Sequence, residues 1–355
     1  MILQSLAISQ FRNYETAAFT FSSDTTVVIG PNTSGKSNML EAINLLATGK
    51  SFRADTDTQM IRFEEDIARV KGKTSEEEVL EVLVAIGAAA GGKAYLKKYL
   101  VNDISKRRSD FAGRLPALLF VPADLDIIVG SPGLRRRFLD DMLEQIDGEY
   151  RHSFSLYVKG LRQRNALLER TRETGVRSER EFGYWDELLI THGTIIHEKR
   201  KAFLDFANAT EKDIFNFTLF YDHSIISAER LIKYHDAEIG SAVTLVGPHR
   251  DDFGVVMQTG KDIKYFGSRG QQRLVILQLK LMQLTYMAKI LGDRPLLLLD
   301  DIFSELDEGH INLVSEIISK QQTIVTTTHE EFLMSGDLKS KRRIDLREKE
   351  QFSFL

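Results

Sequence analysis

One octapeptide constrains this chain more than anything else in it: Gly30-Pro31-Asn32-Thr33-Ser34-Gly35-Lys36-Ser37. It has the form G-x-x-x-x-G-K-[ST], the P-loop. Its flanks agree. Thr25 to Ile29 is rich in β-branched residues and reads as a strand. Asn38 to Ala47 spaces its apolar residues as a helix does. Strand, glycine loop and helix in that order commit the chain to an α/β core. The chemistry follows from the residue types. Gly30 and Gly35 let backbone N–H groups converge on an anion that a Cβ would obstruct. The helix start adds its positive end. Lys36 brings a mobile charge to the β- and γ-phosphates, and the Ser37 hydroxyl is a hard ligand for Mg²⁺. The expected cofactors are ATP and Mg²⁺, bound along residues 30–38 with Asn38 included.

The surrounding pattern extends this lobe. Ser5 to Phe11 alternates polar and apolar, and Phe19 and Phe21 repeat the alternation, so an opening hairpin is expected. Between its strands, Phe11-Arg12-Asn13-Tyr14 fits a polar turn with a packed aromatic and, equally, a nucleotide contact through Arg12 and Asn13. Ile67–Val70, Glu78–Ile86 and Tyr95–Val101 read as a β meander. From Lys106-Arg107-Arg108 the character changes. Ser131-Pro132-Gly133 opens a helix led by Arg135, Arg136 and Arg137, with Pro in the first turn where its missing N–H costs nothing. The pattern stays helical to about residue 215, with a polar linker at Thr171–Arg180. Ser241–Leu245 returns to strand character, and Phe253–Met257 with Ile263–Phe266 reads as a hairpin. An apolar helix runs from Gln271 to about Leu291. Leu296–Leu299 reads as a strand buried on both faces. A helix at Glu308–Ser319, a strand at Thr323–Thr328 and a basic, partly strand-like tail at Lys339–Arg347 complete the pattern. The predicted division is an ATPase lobe of residues 1–105 and 241–355 and a mostly helical insertion of residues 106–240. No heptad run is long enough for an extended coiled coil.

Composition narrows the compartment. The chain has no cysteine, which excludes disulfides and thiolate zinc sites, and fits a cytoplasmic protein. No apolar run approaches the ~18–20 residues that span a bilayer, and the first residues lack the basic region of a signal peptide. A membrane partner is therefore not expected. The net charge of −4 says nothing about nucleic acid, so local clusters matter more. Lys106, Arg107, Arg108, Arg135, Arg136 and Arg137 are the candidate phosphate contacts, and a solvated helix face accounts for each cluster equally well.

Three further motifs sort the P-loop class. Leu296-Leu297-Leu298-Leu299-Asp300-Asp301 is an apolar strand ending in carboxylates, the Walker B form. Asp300 can hold Mg²⁺ opposite Ser37. Successive strand residues face opposite ways, so Asp301 is placed to orient or deprotonate an attacking water, unless it merely caps a loop. Ser304-Glu305-Leu306-Asp307 resembles the D-loop of ABC-type ATPases. Gly267-Ser268-Arg269-Gly270-Gln271 opens a long apolar helix in the order expected of an ABC signature, although alone it is also an ordinary N-cap. His329 ends the last strand and resembles the switch histidine that senses γ-phosphate. In ABC-type ATPases the signature of one subunit closes over nucleotide on the P-loop of another. The likeness therefore implies an ATP-dependent homodimer, with Ser268 reaching the γ-phosphate in trans.

Taken together, the chain resembles the RecF family of bacterial recombination mediators, compact relatives of the SMC heads. The likeness rests on residues 11–14, the P-loop with Asn38, Leu40-Glu41-Ala42-Ile43, Ser51-Phe52-Arg53, residues 120–125, Gly130-Ser131-Pro132 and residues 135–140. Arg164-Asn165, Gly247-Pro248-His249-Arg250-Asp251-Asp252, the signature and residues 299–307 complete it. It departs from the family's usual pattern at Thr33, Ser34, Ser37, Ala123 and Arg269, the last adding a cation beside the expected trans phosphate. Gln59 is a candidate for the glutamine of the Q-loop. The resemblance implies an ABC-type ATPase head, a mixed sheet around the P-loop helix with a helical second lobe. It also implies weak ATPase activity serving as a clamp-release switch, and DNA binding at gaps, single strands or single-strand/double-strand junctions. Action with RecO and RecR in loading recombinase, replication restart and the SOS response is implied as well. The competing class is an ABC transporter-type ATPase subunit, which shares the three ATP motifs but would need a membrane partner.

Overall fold

The computed structural model describes residues 2–91, 95–305, 309, 314, 316–328 and 342–347. The chain divides into two compact units, residues 1–123 with 287–355, and residues 124–286. The expected boundaries were 105/106 and 240/241, so the helical unit takes a later segment of chain than the composition change indicated.

The first unit is built on two sheets. One is antiparallel, with order β2 (Tyr14–Thr20), β1 (Leu3–Phe11), β4 (Ile67–Thr74), β5 (Val79–Ile86), β6 (Tyr95–Val101) and β7 (Ile104–Lys106). The opening hairpin is in register from Ser5↔Thr20 to Phe11↔Tyr14, which leaves Arg12 and Asn13 as its turn. The other sheet is parallel, with order β13 (Arg342–Asp345), β3 (Thr25–Ile29), β12 (Thr323–Thr327), β11 (Leu296–Asp300) and β8 (Ala117–Phe120). β3, β11 and β12 are buried at every position, as a parallel strand covered on both faces must be. Helix α1 (Lys36–Thr48) packs into one apolar core with both sheets. Met39, Leu40, Ile43 and Leu46 meet Leu6, Ile8, Val70 and Val82 of the antiparallel sheet and Leu296, Leu298 and Ile324 of the parallel one. α1 ends at Gly49, whose φ of 72° closes the last turn by donating its N–H to Leu45 O.

The second unit is mostly helical: α2 (Pro132–Ile146), α3 (Gly148–Thr174), α4 (Glu179–Ala209) and α5 (Arg269–Leu291), the last running on past the unit's end at Tyr286. The linker between α3 and α4 is shorter than expected, because Thr171–Thr174 stays helical up to the Gly175 C-cap. Gly160 lets the pair approach closely; a Cβ there would meet Leu188 Cδ2 at 2.6 Å. Two expectations fail here. Ser241–Leu245 is not a strand, because side chains satisfy its backbone: Asn165 Oδ1 accepts from Thr244 N, and Glu238 Oε1 from Leu245 N. Ile263–Phe266 is a helical turn, started by the Asp262 side chain accepting from Lys264 N. The true partner of β10 (Asp252–Met257) is β9 (Phe217–Asp222), a segment where no element was expected.

α5 also corrects the membrane argument. By length and composition it is apolar enough to cross a membrane, with mean hydropathy 1.4. No consecutive apolar run revealed it, because polar residues interrupt it. They are tied into protein: Gln278 accepts from Ile214 N, Gln283 donates to Phe138 O, and Lys280 pairs with Asp124. It is a core helix of its unit.

Candidate nucleotide site

The P-loop leaves β3 and enters α1 through Gly35, whose φ of 105° suits only glycine. A Cβ on Gly35 would lie 2.7 Å from the Tyr14 hydroxyl, which donates to Gly35 O at 3.1 Å. Burial pushes the Tyr14 hydroxyl's pKa up, keeping it a donor. A Cβ on Gly30 would meet Ser34 Oγ at 2.6 Å and Leu346 Cβ at 3.2 Å. Leu346 lies there because β13 runs parallel to β3 and Leu346 N donates to Ile29 O at 2.8 Å.

Lys36 is buried, with Nζ donating to Gly30 O at 2.7 Å and Pro31 O at 2.9 Å. Burial pulls its pKa below the ordinary value, and the charges of Asp301 and then Asp300 oppose that. Ser37 Oγ donates to Asp300 Oδ1 at 3.0 Å, so helix start and strand end converge on one oxygen. Thr326 on β12 donates to the same oxygen at 2.7 Å and orients the carboxylate. β11 ends at Asp300. Asp301 turns out of the strand with φ 52°, its N–H directed at Thr326 O.

These groups suit a nucleotide triphosphate and Mg²⁺. The Ser34 hydroxyl oxygen is buried with no hydrogen-bond partner among the described residues, a donor fit for a phosphate oxygen. Ser37 and Asp300 are two hard oxygens, one anionic, already in contact. Among the described residues no cluster of three or more His, Cys, Asp or Glu could hold a metal. Mg²⁺ characteristically needs only one or two protein oxygens beside phosphates and water.

Arg12 and Asn13 lie beside this loop in different roles. Asn13 Nδ2 donates to Thr33 O at 3.4 Å, and its Oδ1 accepts from Asn38 at 2.6 Å. Arg12 grips Glu41 of α1 with two bonds, 2.9 and 2.6 Å. Glu41 is fully buried and also accepts from Ser51 at 2.5 Å and Arg53 at 3.2 Å. Glu41 is thus the hub that fixes the hairpin turn against α1. The sequence offered a signal for it, a carboxylate among apolar helix positions with Arg12, Ser51 and Arg53 nearby. Gln59 closes a short 3₁₀ turn, its Oε1 accepting from Asp55 N, while its backbone O accepts from Arg12.

Ser268 is exposed and caps α5 reciprocally with Gln271: Ser268 Oγ accepts from Gln271 N at 3.2 Å, and Gln271 Oε1 accepts from Ser268 N at 2.9 Å. The hydroxyl proton itself stays available for donation outward. Ser304 and Glu305 belong to a short 3₁₀ turn; Leu306, Asp307 and His329 lie outside the described residues.

The candidate DNA cations differ widely. Lys106 and Arg107 are exposed, Arg107 pairing with Asp110 at 3.0 Å. Arg108 packs over Gly49 and donates to Thr48 O. Arg135 is buried, paired with Asp252 at 2.6 Å, and donates to Gly130 O. Arg136 donates to Asp251 O, and exposed Arg137 lies 3.5 Å from Asp141.

Comparison with known proteins follows the same lines. The family model described as RecF/RecN/SMC N terminal domain matches residues 2–350. The DNA replication and repair protein RecF of Shouchella clausii is 37% identical over 351 residues, covering 92% of this chain and 93% of that protein. A solved structure of the recombination mediator protein RecF-ATP in the RecFOR pathway superposes with a TM-score of 0.84 at 28% identity, covering 92% of each chain. An Smc head domain with a coiled coil and joint derived from Pyrococcus yayanosii gives 0.52 at 14% identity over 97% of this chain and 94% of that one, a likeness of fold alone.

Proposed function

We propose that this chain, which belongs to the RecF/RecN/SMC N-terminal domain family, is a RecF-type recombination mediator that uses ATP to control its hold on DNA. The observation that carries this is the convergence of Lys36, Ser37 and Asp300 on the P-loop. Lys36 exchanges its two loop carbonyls for phosphate oxygens, while the loop N–H groups and the Ser34 hydroxyl hold the remaining ones. Ser37 and Asp300 would hold Mg²⁺, which neutralises phosphate charge when bound. Asp301 orients or deprotonates the attacking water. Ser268 donates to the γ-phosphate of a second copy, and His329 acts as a switch histidine that senses γ-phosphate. ATP binding therefore joins two copies head to tail, and slow hydrolysis releases them.

The bound state engages DNA at gaps, single strands or single-strand/double-strand junctions through Lys106, Arg107 and Arg137, by backbone contact rather than base reading. RecO and RecR are the partners in loading recombinase, in the cytoplasm, with replication restart and the SOS response as the setting. Support comes from the RecFOR pathway in which the ATP-bound neighbour acts. The test is light scattering at low salt with saturating ATP and Mg²⁺, with and without gapped DNA. The expected result is a dimer only with ATP, retained on DNA. A chain that stays monomeric and ignores gapped DNA refutes the reading.

A further inference from the structure

The turn that precedes the signature loop presents two adjacent large aromatic side chains to solvent, Tyr265 at 73% and Phe266 at 61% exposure. They are held on a fixed support. Ile263 beneath them is fully buried. Gln272 of α5 donates to Ile263 O at 3.2 Å, fastening the turn to the signature helix. Gly267 follows in tight contact, since a Cβ there would meet Ile263 O at 2.7 Å. The turn that carries the aromatics is therefore tied to the helix that Ser268 caps. Cations surround them. Lys261 Nζ stands 5.2 Å from the Phe266 ring and Lys264 Nζ 5.6 Å from the Tyr265 ring, with exposed Arg269 just beyond.

We propose that Tyr265 and Phe266 are the apolar anchors of the ATP-bound dimer and bury against the nucleotide-loaded P-loop unit of a second copy. This rests on the reading of Ser268 as a residue that acts in trans. Two observations select that occupant. The pair is continuous with Ser268, so a surface that covers the Ser268 hydroxyl covers the rings as well. The charge is also complementary: Lys261, Lys264 and Arg269 face an anionic surface once triphosphate sits on the partner's P-loop. Before ATP binds, Lys36 partly offsets Asp300 and Asp301 at that loop, so the attraction for the cations is weak. Aromatic rings supply contact area in both states, and the triphosphate adds the negative charge that draws the cations in, so the loaded interface is the favoured one. Large aromatic and arginine side chains are where interface binding energy concentrates.

The chain's lack of cysteine makes the test direct. In Phe266→Cys the new thiol is the single site for a maleimide. ATP with Mg²⁺ is expected to slow its labelling roughly tenfold or more as the interface covers it. In the otherwise natural chain, the double variant Tyr265→Ala/Phe266→Ala is expected to weaken ATP-dependent dimerisation by roughly tenfold or more in sedimentation. Binding of a fluorescent ATP analogue to the monomer and the melting temperature should stay as in the unsubstituted protein. The pair Tyr265→Phe/Phe266→Tyr keeps both rings and should restore dimerisation. If Ser268→Arg blocks the dimer while the double alanine variant dimerises normally, the anchor proposal falls and the trans reading stands. If the unsubstituted protein stays monomeric with ATP, both fall together. If the alanine variant dimerises normally but loses binding to a single-stranded oligothymidine, the rings are a nucleic-acid platform and the proposal is overturned.

Discussion

Lys36 in the P-loop unit and Arg200 in the helical unit are both buried cations, yet they are held in opposite ways. Lys36 Nζ rests on two neutral carbonyls, those of Gly30 and Pro31. Arg200 is 2% exposed and saturated by charge. It pairs with Asp140 at 2.7 Å and Asp251 at 3.1 Å, and donates to Pro248 O at 2.7 Å. Arg164 repeats the second pattern with Glu238 at 2.7 Å and Asp186 at 2.6 Å. A buried cation held by neutral oxygens gains when an anion arrives. A buried cation already matched by carboxylates gains nothing and serves to lock helices together. The same residue class thus rests on neutral carbonyls in one unit and rivets helices in the other.

The largest effect should follow from breaking the saturated case. Arg200→Ala strands Asp140 and Asp251 in the interior and should cost about 3–5 kcal/mol of stability, read by chemical denaturation. Nucleotide affinity of the fraction that remains folded should stay unchanged. Loss of nucleotide binding with no loss of stability would reverse the assignment of roles.

Lys36→Met tests the other case. Removing the phosphate's buried cation should weaken ATP binding by about 100-fold, near 2.7 kcal/mol, while the denaturation midpoint barely moves. Titration with a fluorescent ATP analogue reads the first quantity and denaturation the second. A stability loss as large as that of Arg200→Ala would mean that Lys36 is structural too.

The smallest effect concerns pH. His249 belongs to the saturated side: Tyr157 and Thr244 O engage its two ring nitrogens, and burial pulls its pKa down to about 4. A folded pKa below the unfolded one means that the unfolded chain binds the extra proton first. The stability contribution is therefore whole above about pH 6.5, declines as pH falls through the folded value near 4, and then levels off. His249→Gln should flatten that part of the melting-temperature profile, while the profile of ATP binding keeps its shape between pH 5 and 7.

The geometry of the candidate nucleotide site was legible because its main parts are contiguous in sequence. The spacing of Gly30, Gly35, Lys36 and Ser37 is local geometry, and Asp300 is marked by four leucines before it. The supports were not legible. Thr326 orients Asp300 across 26 residues, and Leu346 braces Gly30 from the far end of the chain. Arg135 looked like its neighbour Arg137, but its partner Asp252 lies 117 residues away, so no spacing rule could separate the buried arginine from the exposed one. The missed strand β9 is a different case, because Phe217–Asp222 is rich in β-forming residues and its buried positions alternate, a signal the sequence did carry.

The sequence by itself determined a glycine loop at a helix start with the form of a phosphate site, because backbone conformation and a neighbouring lysine act within eight residues. Tertiary structure alone decided which of its many cations remain open to a ligand. A charge's worth depends on what surrounds it in space, and desolvation and pairing are set by residues that only the fold brings together.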